Sequence, residues 1–150
     1  HDFFHWVVNL NDSMGRHGGK LMLEEGPFDA IHAHDWLVGD AAIALKHNFK
    51  VPLIATIHAT EQGRHNGIHK DEQRYIHGKE NLLAYEAWRV IVCTDYMRGE
   101  VGRAFGAPWN KVDVIYNGIR PEKKPRWQDF DAWNFRRRFA NDAEKIVYYV

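Results

Sequence analysis

The stretch Asp29-Ala-Ile-His-Ala-His-Asp-Trp-Leu-Val-Gly-Asp40 decides how this 150-residue chain is read. A short apolar run, Phe28 to Ile31, gives way to two histidines and a carboxylate, and from Leu37 to residues at helical spacing. A strand that hands over directly to a helix is a unit of an α/β sheet, and ligands bind at the carboxyl ends of such strands. Alternation along the strand sends His32 and His34 to one face. Two chemistries compete for that arrangement. Two imidazoles, with Asp35, His58 and Asp95 as further ligands, could hold a metal ion for hydrolysis. Alternatively, His32 is a buried, hydrogen-bonded strand residue and only His34 reaches the cleft.

The same alternation of strand and helix repeats along the chain. Val51 to His58, Val90 to Cys93 and Val112 to Tyr116 read as strands, the last closed by Asn117-Gly118. Helices are predicted over Leu37 to His47, from about Asp71 to Ala87, after Thr94 as a cap until Gly106, and over Asp129 to Ala140, the last packing Phe130, Trp133 and Phe139. Short, solidly apolar strands between helices predict an α/β fold: an open, mainly parallel sheet with helices on both faces. Ahead of it, Phe3, Val7, Leu10 and Met14 recur at helical spacing, and Gly15 with Gly18-Gly19 reads as a break in that helix. Gly15-Arg-His-Gly-Gly-Lys20 has the wrong spacing for a phosphate loop and follows a helix rather than a strand.

The polar residues cluster by position. His34-Asp35, the loop from His58 through Glu61 to Arg64, Thr94-Asp95 and Asn117-Gly118 each follow a predicted strand. A parallel sheet brings all four to one edge, and loops so placed bind ligands.

Composition narrows the classes. Lys and Arg number 20 against 20 Asp and Glu, so the chain has no electrostatic footprint for nucleic acid. No apolar run is long enough to span a membrane. The one cysteine, Cys93, excludes an internal disulfide and fits a reducing, cytoplasmic setting. Its place after Val90-Ile-Val92 reads as core packing rather than a catalytic thiol. Lys123, Lys124, Arg126 and Arg136 to Arg138 read as solvated linker and helix faces. The start at His1 and the apolar run Lys145 to Val150 are those expected of a piece of a larger protein.

His32-Ala-His-Asp-Trp36, Thr56-Ile-His58, Val90-Ile-Val-Cys-Thr94 and Val114-Ile-Tyr-Asn-Gly-Ile119 occur in that order. The series resembles the acceptor-side half of retaining glycosyltransferases of the glycogen and starch synthase type, glycosyltransferase family four, whose two-Rossmann fold is called GT-B. The resemblance implies a partial N-terminal, Rossmann-like domain over residues 1–120, a linker and helix over 121–144, and over 145–150 the first strand of a nucleotide-sugar-binding domain that the chain lacks. It implies transfer of glucose from a nucleotide sugar (ADP- or UDP-glucose) to an α-glucan or related acceptor, without metal or other cofactor. His34 matches the histidine that contacts the donor sugar at the reacting centre. Asp35, His58, Glu61, Arg64, Thr94 and Asn117 border the cleft as substrate-binding residues, and His32 becomes structural. With the nucleotide-binding half absent, the chain alone is expected to be inactive. A metal-dependent hydrolase on the His-x-His-Asp string and a non-catalytic sugar-binding module are the alternatives. Open sheet edges also predict self-association.

Overall fold

A computed structural model describes residues 2–118 and 130–147, which form two compact units divided after Asn117. In the first unit four strands, β1 (Ile31–His34), β2 (Leu53–Ile57), β3 (Arg89–Val92) and β4 (Val112–Val114), make one sheet in the order β1-β2-β3-β4. Every pairing is parallel, with Ala33 beside Ala55, Ala55 beside Val90 and Val90 beside Val112. This is the Rossmann-like α/β sheet that the strand and helix alternation predicts.

Parallel neighbours need crossovers, and α2 (Gly39–Phe49), α4 (Asp71–Glu86) and α5 (Asp95–Phe105) supply them. Because the strands advance in one direction, right-handed crossovers set these helices side by side on one face, where α2 packs on α4 and α4 on α5. The first contact is close at Gly39, where an added Cβ would meet Leu83 Cβ at an ordinary contact distance of 3.7 Å. The alternate strand residues Ala33, Leu53, Ala55, Ile57, Val90, Val92 and Val112 point into that layer and join Leu83, Ala84 and Val101 in the core. Each Leu or Val so enclosed stabilises the fold by about 1.5–3 kcal/mol. His32, His34, Ile54, Thr56 and Ile91 occupy the opposite face. The N-terminal helix α1 (Phe3–Glu24) lies alongside α2.

α1 (Phe3–Glu24) corrects the expected break, because it is continuous for 22 residues. The Asp2 carboxylate caps it by accepting from the Phe4 N–H at 3.2 Å. Gly18 is a contact point rather than a breaker: a Cβ there would lie 2.8 Å from Leu45 Cδ1 on α2. Asn11 bolts the two helices together. Its buried amide donates to the Val7 and Leu37 carbonyls at 2.9 and 2.7 Å and accepts from the Ala41 N–H at 2.9 Å.

In the second unit α6 (Ala132–Arg137) is shorter than expected, and Asp131 caps it by accepting from Asn134 N–H at 2.9 Å. Phe130, Trp133 and Phe139, expected to pack inward, are largely exposed. Arg137 pairs with Asp142, and Arg136 donates to the Asn141 and Glu144 carbonyls. Residues 145–147 lie in no regular element, and the rest of the strand expected over 145–150 is outside the described residues. So are Lys123, Lys124 and Arg126.

Candidate active site at the carboxyl edge of the sheet

Polar residues gather at the carboxyl ends of the strands: His34 closes β1, and His58, Cys93 and Asn117 follow β2, β3 and β4. At the end of β1, Asp35 N–H still bonds the Thr56 carbonyl at 2.9 Å. Its own backbone, at φ 58° and ψ 173°, then turns into a region that only glycine enters freely, at a cost of about 1–3 kcal/mol. The turn aims the Asp35 carboxylate across to β2, where Oδ1 accepts from the His58 N–H at 2.9 Å. That bond compensates part of the strain and joins the two strand ends.

The imidazoles meet there. His34 Nδ1 lies 3.1 Å from His58 Nε2, and their rings stack with centroids 5.4 Å apart. His32 and His34 share one face as alternation requires, with centroids 4.4 Å apart. His32 Nε2 bonds Thr56 Oγ1 at 2.8 Å, as a structural residue would. The ring is nevertheless exposed, not buried, since it stands on the face opposite the crossover helices. Partial burial, then the neighbouring His34 and His58, push its pKa below the ordinary imidazole value.

Cys93 departs from its expected core place. Val90 and Val92 point inward, so Cys93 points outward, half-buried, with Sγ 3.8 Å from His58 Nδ1 and 3.6 Å from Asn117 Oδ1. Thr94 caps α5, its hydroxyl accepting from Met97 N–H at 3.1 Å. Beside it Tyr116 donates to Asp95 Oδ2 at 2.6 Å.

The loop after β2 is ordered by buried acids. Its short helix α3 (Glu61–Arg64) starts at Thr60, whose fully buried hydroxyl accepts from Gly63 N–H at 2.9 Å and donates to Glu100 of α5 at 2.5 Å. Both oxygens of Glu80, from α4, accept from the Glu61 N–H at 2.9 Å. Burial pushes the Glu80 carboxyl up to about 7, against the opposing pull of the Glu61 N–H and Arg64. Glu61 is itself buried and engaged with His65 at 3.1 Å and Arg64 at 3.5 Å, so it faces the loop's interior. Arg64, exposed, also reaches Glu80 at 3.4 Å. A polar cleft of about 250 Å³ opens between this loop and α5, with Gln62, Asn66, Tyr96 and Arg103 on its walls.

Thus His34, Asp35, His58 and Asn117 come together, Thr94 stands on the same rim, and Glu61 with Arg64 brace the loop. Sequence reasoning missed Asn11, Glu80 and Glu100. Their signal was a polar residue on a helix face that also carries apolar residues (Val7 and Met14, Ile76 and Leu83, Met97 and Ala104), which does not by itself name a partner. Among the described residues no three or more His, Cys, Asp and Glu side chains are grouped to hold a metal ion. No helix among them is long and apolar enough to cross a membrane.

Over 99% of its length the chain is 36% identical to an uncharacterized glycosyltransferase of Methanocaldococcus jannaschii, spanning 38% of that protein. It is likewise 36% identical over 99% of its length to a glycogen synthase of Mycobacterium tuberculosis, spanning 35% of it. A D-inositol 3-phosphate glycosyltransferase of Kribbella flavida is 28% identical over 67% of the chain. The chain therefore spans little more than a third of the length of the first two of these relatives. Residues 14–123 match the domain described as Glycosyltransferase Family 4, and the chain belongs to that family.

Proposed function

We propose that this chain forms the acceptor-side part of a retaining glycosyltransferase that moves glucose from ADP- or UDP-glucose to an α-glucan. The observation that carries the reading is the junction of His34, Asp35 and His58 at adjacent strand ends, on a chain 36% identical to a glycogen synthase. In this reading His34 hydrogen-bonds the donor sugar at the reacting centre. Asp35 spends its carboxylate on the His58 N–H and so sets the angle between the two imidazoles. Thr94 and Asn117 lie on the cleft rim, and the loop from His58 to Arg64 borders the acceptor.

Stabilising a departing diphosphate supplies much of the rate in such transfer. The cations for that task belong to a nucleotide-sugar-binding domain beginning near residue 145, after a linker and helix over 121–144 and an acceptor-side domain over 1–120. The chain alone is therefore inactive, and the whole enzyme works in the cytoplasm. The test is transfer of labelled glucose by the full-length parent. His34→Ala should lower turnover by about two to three orders of magnitude, the scale of losing one preorganised polar contact. Unchanged turnover in that variant would refute the role of His34, and turnover by the 150-residue chain would refute its dependence on the second domain.

A further inference from the structure

Four side chains stand in a line across the sheet edge: His34, the last residue of β1, and His58, Cys93 and Asn117 beyond the ends of β2, β3 and β4. The line has a direction. Asn117 presents its amide oxygen to the thiol, and that oxygen can only accept, so the Cys93 S–H proton points toward Asn117. A thiol has one proton, so the sulfur meets His58 Nδ1 as an acceptor and Nδ1 must carry the hydrogen. A neutral imidazole has one N–H, which leaves His58 Nε2 as an acceptor. The bond at 3.1 Å then requires that His34 Nδ1 be the donor. His34 Nε2 is left with a bare lone pair, on an exposed ring and with no partner among the described residues. His32 stands outside the line, with its Nε2 engaged by Thr56.

We propose that Asn117 and Cys93, acting through His58, are positioning residues that hold the exposed Nε2 of His34 as a hydrogen-bond acceptor for a sugar hydroxyl. The sugar in this statement rests on the glycosyl-transfer reading above; the relay does not. Reversing the Asn117 amide would reverse every bond in the line and turn His34 Nε2 into an N–H donor. The choice between accepting and donating at the sugar is therefore made three side chains along the line, at Asn117 beyond the end of β4.

Long-range nitrogen–proton correlation spectra of the histidine rings test this on the labelled 150-residue chain at a pH of about 8, above the ordinary imidazole range. The expected result is a pyrrole-type Nδ1 and a pyridine-type Nε2 at His34. Asn117→Asp should keep that pattern, because a carboxylate only accepts, and Cys93→Ser should keep it, because a hydroxyl both donates and accepts. Cys93→Ala cuts the line, and His34 should lose its pyridine-type Nε2 signal as it shifts to the Nε2–H tautomer that free histidine prefers. A pyridine-type Nδ1 at His34 in the unaltered chain, inversion of the pattern by Asn117→Asp, or no change in Cys93→Ala would each overturn the relay. None of these readouts requires transfer, so they are independent of the His34→Ala turnover test.

Discussion

At the scale of single residues, strain and buried charge are concentrated beside the candidate site. Asp35 holds a glycine-like backbone for the sake of one hydrogen bond to His58. Asp35→Gly gives up the bond but relieves the backbone, whereas Asp35→Ala gives up the bond and keeps the strain. The alanine variant should therefore be the less stable by about 1 kcal/mol, measured by urea unfolding. Glu80 offers a pH test. Its folded pKa of about 7 stands above the ordinary 4.5, so the folded state holds this proton more tightly than the unfolded chain. The stability it contributes is full below the unfolded value and is lost as pH rises through the folded one. Relative to Glu80→Gln, the unaltered chain should lose roughly 1–2 kcal/mol between about pH 5 and about pH 8, allowing for solvent screening. A parallel pH course in the two proteins would count against it. His32 runs the other way: its lowered pKa makes acid conditions destabilising.

At the scale of elements, the packing of α1 on α2 tests the role of its glycines. Gly15 faces open space, and Gly18 faces Leu45. Gly15→Ala should raise stability by about 0.5–1 kcal/mol, through lower chain entropy and better helix propensity. Gly18→Val should instead lower it by about 1–3 kcal/mol, since a branched side chain must displace Leu45. Thermal unfolding of the two variants should move in opposite directions. Asn11→Ala removes three hydrogen bonds and leaves the Leu37 carbonyl and Ala41 N–H behind the site without their partner, at a cost of about 2–3 kcal/mol.

For the molecule as a whole, the relevant feature is the sheet's two outer strands. Among the described residues β1 and β4 each pair on one side only, and an unpaired edge is a template for another strand. With equal numbers of acidic and basic residues, no net repulsion opposes association. The 150-residue chain should form concentration-dependent oligomers in light scattering, and a monomer throughout the accessible concentration range would exclude edge pairing.

Much of this was legible in the residues. Apolar strands between helical repeats specify a parallel sheet, because only that arrangement buries both kinds of stripe. The polar ends of those strands must then share one edge, which brings His34, Asp35, His58, Thr94 and Asn117 into one neighbourhood. Other outcomes depended on packing between distant segments. Whether Gly18 breaks α1 or receives Leu45 is decided by α2. Whether Cys93 joins the core or the polar line is decided by the phase of β3 against its helices. Glu61 turns inward because Glu80 and Glu100 come from two other helices to hold its loop. Local sequence determined which groups stand at the strand ends, since alternation and capping act over a few residues. Tertiary structure decided which of them touch, because those contacts span some 20 to 40 residues of chain.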